Sequence, residues 1–179
     1  MSEDFLAEYA APTLAGLKTG SLFTVKTGQD MSREIRALNR VMTPKGLRAI
    51  PIKRTDARTL LYIYRPDMLS RDLETPEARA ILEEKGYPCV SPERCITQLI
   101  RNLASGGEFP HEIGVFLGYP PEDVRGFMRN ANDGVKMTGY WKVYGDKEKA
   151  EKTFAKYRRC TEIYRKQAAA GTPLEQLIV

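Results

Sequence analysis

The chain holds one histidine, one tryptophan and three cysteines, and no apolar run approaches the roughly 20 residues that span a bilayer. Each scarcity excludes something. An odd, small cysteine count argues against a disulfide framework and for a reducing cytosol. Cys89, Cys95, Cys160 and the lone His111 could just complete a Cys₃His zinc site. The Cys89–Cys95 spacing resembles no zinc knuckle, so no metal is expected. The start, MSEDFLAEYAAPTLAG, is acidic and has no apolar core, so no secretion is expected and a cytoplasmic location is. Neither a phosphate-binding loop, a dinucleotide fingerprint nor a nucleophile elbow occurs, so the sequence identifies no cofactor or reaction.

What is present suits one globular domain over residues 1–179, with 42% hydrophobic residues to build its core. Net charge is +5 and unevenly spread. Between Lys147 and Lys166, eight basic residues face three acidic ones, an excess equal to that of the whole chain. A basic helix face of this kind attracts an acidic partner, nucleic acid or a phosphorylated ligand; the plainer alternative is a solvated surface. Lys152, Lys156 and Arg159 are its candidate partner-binding residues.

Local punctuation predicts an α/β or α+β fold. SLFTVK at Ser21 to Lys26 alternates like a strand, and Met31 to Met42 has the apolar spacing of a helix stopped by Pro44 and Gly46. LRAIPIKRTDARTLLYIYR predicts two strands about Thr55-Asp56-Ala57. Pro51 marks the first as an edge or bulged strand, and Leu60 to Tyr64 is too apolar for an exposed edge. Thr75-Pro76-Glu77 and Ser91-Pro92-Glu93 start two helices; Lys85-Gly86 and Ser105-Gly106-Gly107 end them. A strand at Ile113 to Leu117, a helix from Pro121 to about Arg129 and a strand at Gly139 to Gly145 follow. Asp146 caps a long C-terminal helix to about Ala170, ahead of the tail LEQLIV. The expectation is a mixed sheet of about five strands flanked by helices, with a βαβ unit between Ile113 and Tyr144. Along the last helix, Phe154, Tyr157 and Tyr164 with Ala150 and Ala168 form a core-facing stripe that also takes in Cys160.

The stretch EFPHEIGVFLGYPPEDVRGF, Glu108 to Phe127, concentrates the unusual chemistry. His111 beside Glu112 is a candidate acid–base pair, a proton shuttle or a structural imidazole capping a turn. Gly114, Gly118 and Tyr119 are candidate ligand-binding residues: a glycine admits close approach to the backbone, and the tyrosine offers a hydroxyl or a stacking ring. If Ile113 to Leu117 is a strand, His111 falls at the end opposite the glycine turn. If the run is helical, that separation weakens.

FPHEIGVFLGYPPEDVRGF, GYWKVYGDKEKA and the spaced Phe154, Tyr157, Cys160 and Tyr164 resemble a bacterial family called domain of unknown function 3793. APTLAGLKTGSLF and LLYIYRPDML extend the likeness over nearly the whole chain. The resemblance implies a small cytoplasmic protein of anaerobic bacteria with no assigned activity, and a flavodoxin-like redox protein as a partner. The family pattern places a His-Cys pair before its Ala-Pro-Thr-Leu run. Tyr9 and Ala10 stand there in this chain, which puts a thiol role at that position in doubt.

Two functions remain open. The first is a small-molecule-binding or catalytic domain centred on His111. The second is a non-enzymatic adaptor that docks an acidic protein on its basic helix. Nucleic acid is disfavoured, because no aromatic, Gly-rich strand signature accompanies the basic residues.

Overall fold

A computed structural model describes residues 1–179. The chain forms two compact units, Met1–Asp67 with Tyr157–Val179, and Met68–Lys156.

The first unit opens with helix α1 (Glu3–Leu14), for which the sequence offers no amphipathic signal. Its buried side relies on Ala7, Ala10 and Ala11 between Leu6 and Leu14, and Pro12 sits inside its last turn. Ser2 caps it, accepting from the Phe5 amide at 3.4 Å. Strand β1 (Gly20–Lys26), helix α2 (Met31–Met42) and strands β2 (Arg48–Arg54) and β3 (Arg58–Tyr64) follow as the local signals predict. All three strands are antiparallel in the order β1-β3-β2. That order puts β3, with Leu61 and Ile63 fully buried, in the middle. It leaves β2 at the edge, and the register slips between Pro51 and Lys53 where proline cannot donate to the ladder. Ile35, Leu38 and Met42 of α2 join Phe23, Leu61 and Ile63 in one apolar core. Arg65 ties the ends of this unit together, donating to the carbonyls of Thr13 at 2.8 Å, Leu14 at 2.6 Å and Val179 at 2.6 Å.

The second unit is mostly helical: α3 (Pro66–Glu74), which begins just before it, then α4 (Pro76–Glu84), α5 (Pro92–Ala104), α6 (Ile113–Phe116) and α7 (Pro121–Arg129). The cap and stop signals of α4, α5 and α7 lie where the sequence puts them, with Ser91 accepting from the Arg94 amide at 3.3 Å. Strands β4 (Met137–Thr138) and β5 (Lys142–Val143) make a short antiparallel ribbon.

Helix α8 (Lys147–Ala169) starts in this unit, with the Asp146 carboxylate accepting from the Lys149 amide at 3.0 Å. It ends in the first unit, where α9 (Leu174–Leu177) orders the tail that the sequence leaves unassigned. Ala150, Phe154, Tyr157, Cys160, Tyr164 and Ala168 of α8 are all buried, as their spacing requires.

The five-stranded mixed sheet is therefore corrected to a three-stranded sheet and a two-stranded ribbon, both antiparallel. No βαβ unit forms, because Ile113 to Phe116 is helical. A short apolar run bounded by turns reads equally as a buried strand or a buried helix, and periodicity cannot separate them. The ribbon is also shorter than the strand expected over Gly139 to Gly145. Its Gly139 backbone lies so close to the Phe154 ring that a Cβ would fall 2.3 Å from Phe154 Cε2. No helix is long and apolar enough to cross a membrane.

Candidate functional site

The site is built by two short helices and the ribbon. Pro110 and His111 form a turn that leads into α6, with the Ile113 amide donating to the Pro110 carbonyl at 3.2 Å. Gly118 closes α6 in the left-handed region, at φ +74°. The Gly118 amide donates to the Val115 carbonyl at 3.2 Å and the Tyr119 amide to the Gly114 carbonyl at 3.0 Å. This paired closure is the Schellman stop, which favours glycine at the left-handed position. Gly118 therefore turns the chain so that Tyr119 faces back towards α6 and Pro121 can begin α7.

Those turns enclose a cavity of about 360 Å³. It is lined by Phe109, His111, Ile113 and Gly114, then by Tyr119, Asp123, Val124 and Phe127, and by Trp141 and Lys142 from the ribbon. Gly114 is required for the walls to meet: a Cβ there would lie 2.8 Å from Val124 Cγ2 and 3.1 Å from Tyr119 Cδ2. The rings are set at angles to one another. Tyr119 and Trp141 have centroids 4.8 Å apart with planes inclined by 31°. His111 meets Phe127 edge-on at 4.8 Å.

Three polar groups belong to this cavity besides His111. The Tyr119 hydroxyl donates to the Tyr140 carbonyl at 3.1 Å, and burial pushes its pKa up to about 12, so it stays a neutral phenol. Asp123, only 3% exposed, accepts from Trp141 Nε1 at 2.7 Å and from the amides of Tyr144 and Gly145, each at 2.8 Å. Its negative charge is thus met by three N–H donors. Lys142 donates to the Ala131 carbonyl at 2.8 Å and Asn132 Oδ1 at 3.1 Å.

Of the residues singled out by sequence, the structure brings His111, Gly114 and Tyr119 to one cavity. Gly118 acts behind it as the helix stop. Glu112 turns the other way: it is buried, and Tyr87 Oη donates to its Oε1 at 2.8 Å. Burial, and then the bond to Glu112, push the Tyr87 pKa far above the usual phenol value. Glu112 and His111 both border a separate polar recess of about 310 Å³ beside Asn102 and Ser105. The carboxylate facing the imidazole is Glu108, at 3.5 Å from His111 Nε2 and almost wholly exposed. Lys152, Lys156 and Arg159 are exposed along α8 and make no ion pair, whereas neighbouring Lys147 pairs with Glu151 at 3.7 Å.

The sequence reading misses Asp123, Phe127, Trp141 and Lys142 as site residues. One signal was available: Asp123 and Phe127 lie four apart and so share a face of α7. The contribution of the ribbon has no local signal.

A family model described as protein of unknown function (DUF3793) matches residues 6–178. The chain belongs to that family. No curated protein and no solved structure matches it. In this DUF3793 member the cavity, its polar neighbours and the exposed basic stripe of α8 are the features from which a function must be read.

Proposed function

We propose that this chain is a small-molecule-binding domain whose site is the cavity between α6, α7 and the β4–β5 ribbon. One observation carries the reading: His111, Gly114 and Tyr119, marked out by residue type in the sequence, converge on the same preformed apolar opening of about 360 Å³. That volume lies in the range of small-ligand sites, which are mostly apolar with a few convergent polar groups. Binding is favoured over catalysis. Glu112 is engaged by Tyr87 outside the cavity, Tyr119 is held neutral, and the walls hold no serine, threonine or cysteine.

Native mass spectrometry on protein purified without oxygen, beside its His111→Ala and Phe127→Ala variants, tests the reading. A bound small molecule present in the unaltered protein and lost from both variants is the expected result. A ligand-free mass, with no fragment from a screen perturbing Trp141 fluorescence, sinks it.

A second reading is a non-enzymatic adaptor for an acidic protein, with a flavodoxin-like redox protein as the specific partner. Its support is the run Lys152, Lys156 and Arg159, exposed at four- and three-residue spacing and engaged in no ion pair. Changing all three to glutamate should then abolish capture of a purified acidic flavodoxin, and raised salt should weaken it in the unaltered protein. Capture that ignores both changes would exclude the stripe as the docking surface.

A further inference from the structure

The placement of Lys142 says more about the ligand, on the footing of the cavity reading above. Its ammonium group carries three N–H donors, and the two partners it has are neutral oxygens, the Ala131 carbonyl and Asn132 Oδ1. It also sits 5.5 Å from the centroid of the Phe127 ring, on the cavity wall. A positive charge is therefore held at the mouth of an apolar opening with no carboxylate against it. Beside apolar walls, attraction for an incoming anion is stronger than it would be in open water.

Asp123 is the one carboxylate that lines the cavity with Lys142, and its oxygens already have donors. Both oxygens of Asp123 are directed inward, Oδ2 to the Trp141 indole and Oδ1 to the amides of Tyr144 and Gly145. Glu108 is 87% exposed and faces His111 Nε2 from the polar recess rather than from the apolar cavity. A cationic guest would meet Lys142 head-on. A purely apolar one would cover the ammonium without offering an acceptor to its third N–H, at a desolvation cost.

The remaining walls define the body of the guest. Tyr119 and Trp141 pack on one another in the lining, and Phe127 and His111 pack edge to face in it. A lining this rich in rings suits a flat aromatic guest, which can add further offset or edge-on contacts, better than a branched aliphatic one. We propose that the cavity binds a small aromatic acid, its rings against these side chains and its anionic group on Lys142.

The test uses two fluorescent probes with the same ring system: anilinonaphthalene sulfonate, which is anionic, and phenylnaphthylamine, which lacks the sulfonate. Trp141 is the single tryptophan and lines the cavity, so energy transfer from it that is lost in Phe127→Ala reports a probe bound there. The anionic probe should bind about tenfold more tightly or better than the neutral one, as one charge-assisted bond allows. Lys142→Met should abolish that difference with the neutral probe still bound, and Lys142→Arg should restore it. Retained binding of the neutral probe also shows that the cavity survives the substitution. Equal binding of the two probes, or a preference that persists in Lys142→Met, overturns the assignment of an acid and leaves the cavity reading standing. Failure of both probes to draw energy from Trp141 removes the cavity reading and this inference together.

Discussion

Trp141 Nε1 donates to Asp123 Oδ2 at 2.7 Å, joining the ribbon to α7 across 18 residues of chain. The other carboxylate oxygen takes the amides of Tyr144 and Gly145. One buried side chain thus anchors three points of the ribbon and holds Trp141 against the cavity. Asp123→Ala would leave three N–H groups without that acceptor, and we expect a loss of about 3 kcal/mol or more in chemical denaturation. The Trp141 emission should shift to the red as water reaches the indole. Asp123→Asn keeps one acceptor oxygen and should fall between the two.

Tyr87 and Glu112 form the second buried polar pair of this unit, at 2.8 Å. Tyr87→Phe removes the donor and leaves the carboxylate buried, which should cost about 2 kcal/mol. Glu112→Gln keeps an oxygen to accept the phenol and should cost less. Equal and negligible losses in urea titrations of both variants would show that the bond contributes nothing to stability.

His111 is about one-third exposed on its side chain, and its facing carboxylate is in solvent. His111→Ala should therefore lower stability by about 1 kcal/mol or less while removing ligand. Phe116, fully buried on the short helix that follows, provides the contrast, since Phe116→Ala should cost about 3–5 kcal/mol. Thermal melts of the two variants side by side separate a binding role for His111 from a purely structural one.

Gly126 lies against Tyr144: a Cβ would sit 2.4 Å from Tyr144 Cγ. Swinging the ring away would break the bond in which Tyr144 Oη shares its one hydrogen between the carbonyls of Asn130 and Ala131. Gly126→Ala should destabilise the unit by about 1–3 kcal/mol. If the clash is the cause, the Gly126→Ala, Tyr144→Ala double variant will cost less than the two single changes together.

Lys18 is buried, and burial lowers its pKa from 10.5 to about 8. Below about pH 8 both folded and unfolded chains carry the charge, and the folded one bears the cost of desolvating it. Between about pH 8 and 10.5 the unfolded chain binds more protons, so stability from this group rises with pH. Cys95 and Cys160, pushed up by burial to about 12 and 11, act in the opposite direction above pH 9. The measurement is therefore the difference between the unaltered protein and Lys18→Met at each pH. That difference should move in favour of lysine by up to about 3 kcal/mol between pH 7 and 10.5; a flat difference would mean Lys18 titrates normally.

Legibility in the sequence followed the range of the physical signal. Met31 to Met42 was readable because its apolar spacing and its Pro44–Gly46 stop act within a few residues. The same holds for Thr75, Ser91 and Pro121 at helix starts and for Pro51, whose missing N–H places β2 at the edge whatever surrounds it. Helix α1 was not readable, since a buried face made largely of alanine carries little hydrophobic contrast. The candidate site was half readable. His111, Gly114 and Tyr119 stood out by residue type, but the partners that give them a cavity come from α7 and the ribbon, up to about 30 residues away.

Local chemistry in the chain settles where most helices start and stop, which strand lies at an edge and which stripe of α8 is apolar, because capping, turn geometry and periodicity act over one or two turns. Tertiary packing decides the rest. It makes Ile113 to Phe116 a helix, since a short apolar run is stable in whichever form its neighbours can bury. It sends Glu112 to Tyr87 and brings Lys142 and Trp141 to the cavity wall, because burying a carboxylate or an indole requires partners that lie far away in the sequence.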